Sequence, residues 1–485
     1  MPALAVGGVW KYTDSKTVDA LGLDDNGYDA YVVASKLITQ TPVPVLRGIS
    51  SALATPMAAR LNTFYLNCGA PKFKLPRAAL SGVKIWYNRS MDMKTIRRFL
   101  FAAAAAFAAV CTAAEPGPMA SALAPYLDDG RLPGAIAILV KPGVESVETL
   151  GWADVSNRVP MALDRMFQQC SQTKGFCGVT VAMLVEEGRL NLDDPVEKYL
   201  GEFSNLTVRV KHEGAGDTFT NAVNKLTVRM CMNHTGGFDF EIPTKNRLGW
   251  AGLSLDDTAR EAAREPLLFE PGTRVRYSNT GIDVAAAVVA KVAGMPWEAF
   301  LQTRVLDPLG MADTTFWPTD EQIARRIRHY APVKDAPAQE KPYERRLPPP
   351  WNGPGVFPSA GAGLWTTAAD QLKFYRMLMN GGVGENGVRL LKRETVRDLL
   401  ETSTRPDPKM GGYSLGLEVK KDGWFGHGGA WNTYATVNCG KRELFVWAVQ
   451  LLNGPRPWDK ARDEAVQAFF SDATSTASEY TGRLK

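Results

Sequence analysis

The sequence predicts an α/β (α+β) fold: one antiparallel β-sheet flanked by helices, with a mainly helical subdomain inserted in the chain. Three observations carry this. Two strand-like runs lie early and four lie late; helical patterns stand at both ends of that span; and the long section between them, about 189 to 360, carries helix candidates and Pro/Gly-rich loops.

In chain order, Met119 to Leu127 reads as a short helix. Ala135 to Val140 and Val147 to Trp152 flank Lys141-Pro142-Gly143 as a β-hairpin. From Gly175 the apolar run through Val179, Val181, Ala182, Leu184 and Val185 reads as a buried helix closed by Gly188, with Ser171 in its first turn. Leu255 to Arg264 and Ile282 to Val292 are further helices, as is Thr367 to Asn380, with Thr367 and Asp370 as a capping pair. Tyr413 to Val419, Trp424 to Gly426, Tyr434 to Asn438 and Leu444 to Leu452 then read as successive strands, and Trp458 to Phe470 closes as a helix.

Residues 1–90 hold ten Lys and Arg against five Asp and no Glu, an excess as large as the net +5 of the whole 485-residue chain. The remainder is near neutral and has no basic stripe interleaved with aromatics, which argues against nucleic acid as a partner. Residues 1–90 show no sustained periodicity and are expected to be a non-native or disordered extension. Residues 91–114 combine a basic start (Lys94, Arg97, Arg98), an apolar run from Phe99 to Val110 and small residues at Thr112-Ala113-Ala114. That is the pattern of a signal peptide, with translation starting at Met91 or Met93 and cleavage near Ala114. The expectation is export to the periplasm or cell exterior. The apolar run is too short for a stable membrane span.

The six cysteines show no C-x-x-C spacing, and Cys170 and Cys177 lie about 10 Å apart along one helix, beyond disulfide reach. The four histidines are widely separated. No metal, cofactor or structural disulfide is expected.

Cys170-Ser171-Gln172-Thr173-Lys174 places a lysine one helical turn behind a serine hydroxyl. A serine needs a neighbour to take its proton, and a half-buried lysine at i+3 is one way to supply it. The N–H groups of a helix N-terminus can stabilise an oxyanion. Tyr277-Ser278-Asn279 follows a turn; beside Lys174 the phenol would have its pKa lowered and could serve as base and acid. Asn279 offers an amide that can orient a substrate carbonyl and Lys174 together. A buried turn tyrosine is the plainer reading of Tyr277 alone. In Trp424 to Ala430, the glycines at Gly428 and Gly429 suggest an edge strand that a ligand or another backbone approaches closely. A bulge with a packed His427 is the plainer alternative.

S-x-x-K, Y-x-N and H-x-G in that order resemble the serine β-lactamase and penicillin-binding-protein superfamily. The class C-like esterase and D-aminopeptidase branch is the more similar part of it. Glu186 to Val196, Cys231 to Gly237, Asp307 to Met311 and Gly361 to Trp365 extend the resemblance over about 118–472. It implies a β-lactamase/transpeptidase-like domain, with an α/β part at about 118–170 and 365–472 and a helical part at about 171–364. By the same resemblance Ser171 is the acylated nucleophile, Lys174 and Tyr277 share the proton work, and the backbone N–H groups of Ser171 and Ala430 form the oxyanion hole. Asn279, His427, Gly428, Gly429 and Ala430 would contact substrate, and His234 would be structural. His427 stands where β-lactamases usually carry lysine and is mostly neutral near pH 7. This weakens recognition of a substrate carboxylate. The expected reaction is hydrolysis of a small-molecule ester or amide through an acyl-enzyme, with cell-wall-derived fragments among the candidates. The alternatives are a β-lactamase or D-alanyl-D-alanine carboxypeptidase, and a non-catalytic penicillin-binding-like module.

Overall fold

The computed structural model describes residues 117–212, 215–242, 253–341, 357–452 and 454–471, with four short strands between residues 31 and 86. The chain divides into two units, Met1–Ala114 and Glu115–Lys485. In the first, Tyr31–Ala34 pairs antiparallel with Val83–Trp86, and Tyr65–Leu66 with Phe73–Lys74. The segment read as a signal peptide, 91–114, lies outside the described residues.

The second unit is built on a seven-stranded antiparallel sheet. Its early strands are β1 (Gly134–Lys141), β2 (Val144–Asp154) and β3 (Val159–Pro160). Two hairpins outside the sheet follow, β4 (Thr207–His212) with β5 (Ala215–Asn221) and β6 (Tyr330–Val333) with β7 (Ala336–Glu340). The late strands are β8 (Glu418–Val419), β9 (Phe425–Gly428), β10 (Tyr434–Asn438) and β11 (Glu443–Ala448), and the spatial order is β8-β9-β10-β11-β1-β2-β3. Pairing β11 with β1 joins the late strands to the early ones, and the chain between β3 and β8 folds outside this sheet.

Side chains alternate across a strand, and the two central strands use both faces. Ile136 and Ile138 of β1 and Leu444, Val446 and Ala448 of β11 enter the main core. Ala135, Ala137 and Leu139 with Phe445 and Trp447 enter a second, smaller core. That second core is covered by α1 (Pro118–Asp128) through Met119 and Leu123, and by α7 (Asp459–Ser471) through Ala465, Val466, Phe469 and Phe470.

The main core packs α2 (Thr173–Glu186), α3 (Val228–Met232), α4 (Leu255–Arg264), α5 (Asn279–Ala293) and α6 (Ala368–Met379). Thr173 to Leu184 of α2 are all buried, as expected of a helix apolar all round. Phe176 of α2 stacks on Phe374 of α6 with ring centroids 3.8 Å apart. No single described helix is long and apolar enough to cross a membrane.

Four expectations need correction. Ser171 sits in a 3₁₀ turn, Cys170–Gln172, just before α2 rather than in its first turn. The strand expected over Tyr413 to Val419 is reduced to β8, because Gly416 turns into the left-handed region (φ +75°) where the chain presses on α2. The section about 189 to 360 holds two hairpins besides helices; in β4 the alternation Val208, Val210 against Arg209, Lys211 was the period-two signal. Thr367 caps α6 by accepting from Asp370 N, but the Asp370 carboxylate goes to Asp313 N instead of completing a box.

Candidate active site

The geometry at Ser171 begins one residue earlier. Cys170 has φ +49°, a left-handed backbone uncommon for a side chain with a Cβ, and it sets the sharp entry on which Ser171 is presented. Thr173 Oγ1 donates to Cys170 O at 2.7 Å, and Leu364 N donates to Thr173 Oγ1 at 3.2 Å, so the turn is held from both sides.

Lys174 is fully buried. Its Nζ donates to Ser171 Oγ at 3.2 Å, to Asn279 Oδ1 at 2.6 Å and to Gly361 O at 2.6 Å. The main chain around it is packed closely. A Cβ on Gly178 would lie 1.8 Å from Leu415 O, and one on Gly416 would lie 2.2 Å from Lys174 O. The glycines at these contacts let 415–417 lie directly on α2.

Tyr277 and Asn279 arrive from the start of α5. Ser278 is its N-cap: the hydroxyl accepts from Gly281 N at 3.1 Å and donates to Asp239 O at 2.7 Å. Tyr277 is hydrogen-bonded to Ser171, and Lys174 Nζ lies over its ring, 4.6 Å from the centroid. The expected lowering of the phenol pKa is reversed. Burial dominates and pushes it above its usual value, while the Ser171 bond pulls the other way. The lysine charge faces the ring, and the resting residue is a neutral phenol.

His427 is neutral, as expected from its side-chain chemistry, but burial is the stronger cause. It is pushed down to about 3, first by desolvation and then by the Lys174 charge. Its Nδ1 lies 2.6 Å from Gly428 O, which can only accept, so Nδ1 carries the proton. Nε2 then accepts from the Tyr413 hydroxyl at 2.9 Å. Both ring nitrogens are thus engaged inside the protein, and neither is left to meet a ligand. Gln172 Nε2 donates to His427 O at 3.1 Å, and a Cβ on Gly429 would lie 2.4 Å from Gln169 O. These contacts seat Gly428, Gly429 and the exposed Ala430 against the chain that carries Ser171.

His234 packs between two phenols. Its ring centroid is 4.4 Å from Tyr277 and 4.6 Å from Tyr413, its backbone is left-handed (φ +66°), and Nδ1 accepts from Ser278 N at 3.3 Å. Burial, with the Lys174 charge second, holds it neutral. The structural role expected for it is that of a spacer fixing Tyr277. Sequence reasoning gave no role to Glu241, which accepts from Asn279 Nδ2 at 2.6 Å, or to the Gly361 carbonyl, which accepts from Lys174 Nζ. Gly361 is held by Asp283, buried on α5, through a 3.1 Å bond to its N–H. Asp283 lies on the same helix as Asn279, four residues on, and that spacing was the available signal.

Among the described residues Cys170, Cys177, Cys231 and Cys439 form no disulfide, and no cluster of His, Cys, Asp and Glu could hold a metal.

The family profile described as Beta-lactamase matches residues 119–469. Protein Rv1367c of Mycobacterium tuberculosis is 30% identical over 326 residues, 66% of this chain and 79% of that protein. Among solved structures, EstCE1, described as a hydrolase with promiscuous acyltransferase activity, superposes with a TM-score of 0.60 at 21% identity. It covers 73% of this chain and 97% of its own. A D-stereospecific amidohydrolase from Streptomyces sp. gives a TM-score of 0.53 at 22% identity over 75% of this chain and all of its own. At these identities the two structures bear on the fold alone.

Proposed function

The chain belongs to the beta-lactamase family, whose fold neighbours are hydrolases, and from that premise we propose that it cleaves small esters or amides through an acyl-enzyme on Ser171. The observation that carries this reading is the line of contacts from Lys174 Nζ to Ser171 Oγ and from Ser171 to the Tyr277 phenol. In the proposed course, Ser171 Oγ attacks the carbonyl carbon. Its proton moves to the Tyr277 oxygen, and the phenol gives its own proton to the departing alcohol or amine. The Lys174 charge steadies the hydroxyl throughout. The carbonyl oxygen, now negative, rests on the N–H groups of Ser171 and Ala430. Water then releases the acyl group by the same steps in reverse.

The substrate class follows from charge. With His427 neutral and tied to Tyr413, β9 presents no cation to a carboxylate, which supports uncharged esters and simple amides over penicillins or D-alanyl-D-alanine peptides. Export, with cleavage near Ala114, belongs to the same reading and is checked by sequencing the N-terminus of the protein recovered outside the cytoplasm.

The test is intact-protein mass spectrometry after exposure to a fluorophosphonate and to a panel of esters, D-amino-acid amides and penicillins. A mass increment on Ser171 from the fluorophosphonate and turnover of esters are expected. No labelling of Ser171 would remove the proposal and leave the non-catalytic binding module. Rapid penicillin turnover would replace it with a β-lactamase.

A further inference from the structure

Asn279 Oδ1 accepts from Lys174 Nζ and Asn279 Nδ2 donates to Glu241 Oε1, each at 2.6 Å. An ammonium can only donate and an ionised carboxylate can only accept, so the two partners demand the same orientation of the amide between them. A turned amide would set NH₂ against NH₃⁺ and oxygen against carboxylate, forfeiting two charge-assisted bonds. The backbone is built to hold this arrangement. Asn279 N and Thr280 N donate to Phe240 O at 3.0 and 3.4 Å, and Ser278 Oγ donates to Asp239 O, so the chain leading into Glu241 is registered on the first turn of α5. On the opposite side the Asn279 side chain lies on Gly361, where a Cβ would approach its Cβ to 2.7 Å and its Oδ1 to 2.9 Å. Gly361 O accepts a further hydrogen bond from the same lysine. The amide is therefore clamped between a carboxylate, an ammonium and a backbone.

We propose that Glu241 is a positioning residue for the reaction, orienting Asn279 so that its oxygen holds Lys174 Nζ against the Ser171 hydroxyl. This rests on the serine hydrolase reading above. Glu241 acts through the amide, so its loss is felt in the chemical step more than in substrate binding.

The experiment measures kcat and KM on a small neutral ester, with Ser171 labelling by a fluorophosphonate as a second rate. Glu241→Leu is expected to lower kcat about 10- to 100-fold, the loss typical of a hydrogen bond to a charged group, with KM within about twofold. Glu241→Gln keeps an acceptor oxygen and is expected to lose about fivefold or less. In an Asn279→Ala background Glu241→Leu should cost no more than about threefold further, because the link is already cut. A second pair keeps the test sound if the leucine variant does not fold. Asn279→Asp sets two carboxylates face to face, and adding Glu241→Gln to it should recover at least about tenfold of the lost rate. A leucine variant within twofold of the parent, a loss confined to KM, a multiplicative double variant, or no recovery in the Asp/Gln pair overturns the inference. If the parent labels at Ser171 and these fail, only Glu241's role falls. If the parent does not label, the hydrolase reading falls first and this with it.

Discussion

Cys170, Ser171, Lys174 and Tyr277 show how far a residue's chemistry depends on its immediate shell. The i+3 spacing of Ser171 and Lys174 is local geometry, and it survives intact although Ser171 stands in a 3₁₀ turn. Ser171→Ala is expected to abolish turnover, and Tyr277→Phe to lower kcat by about 10²- to 10⁴-fold, both with unchanged melting profiles. Retention of more than a few per cent activity in the serine variant, measured against freshly purified parent, would remove the assignment. The histidines give a second prediction. His427 is held at about 3 and His234 well below its usual value, so neither changes charge between pH 5 and 8. The kcat–pH profile should show no histidine inflection in that range, and the imidazole proton NMR shifts of both residues should stay flat across it.

At the scale of elements, much was legible because periodicity is a local property. α4 and β10 run over the residues expected for them, and α1, α2, α6, α7, β1 and β11 were recognised with displaced ends. The losses are instructive. β8 is short because Gly416 must turn where the chain meets Lys174 O, a contact with a helix more than two hundred residues away. β5 was hidden by its polar sequence, and the hairpin β6–β7 by proline-containing strands, as in Tyr330-Ala-Pro-Val333. The close seat of 415–417 on α2 yields a prediction at this scale. Gly178→Ala would bring a methyl to 1.8 Å from Leu415 O, and overpacking of that kind costs about 1–3 kcal/mol or more. A clear drop in melting temperature is expected; a change of less than a degree would show that 415–417 is not so closely held. Ser254 caps α4 in a reciprocal box with Asp257, and Ser254→Ala should cost about 1 kcal/mol in denaturant unfolding without altering kcat.

For the whole second unit, one sheet separates two cores, and the strands contribute alternate residues to each. Burial on that scale has a price in acid. His427 and His329 are both depressed to about 3, chiefly by desolvation, against an ordinary value of 6.5. Between these values the unfolded chain binds protons that the folded one does not. Stability therefore rises with pH up to about 6.5, is flat above it, and falls as pH drops toward 3. Each of these histidines contributes a slope of up to about 1.4 kcal/mol per pH unit in that window. Chemical denaturation measured from pH 7 down to pH 4 should show this loss, and His329→Asn should reduce it. A stability independent of pH over the same range would contradict the buried neutral state.

The amino-acid order alone determined the spacing that brings Lys174 to Ser171, the types of most elements and the two-part layout of strands around a helical insert. All of these are set by spacing along a few turns or by alternation along a strand. The tertiary structure decided which amide faces Lys174, that Gly361 supplies it a carbonyl, that Tyr413 locks His427, and that Tyr277 rests as a phenol. These depend on burial and on contacts between residues tens to hundreds of positions apart. Desolvation in particular sums over every neighbour at once, and no short stretch of chain contains that sum.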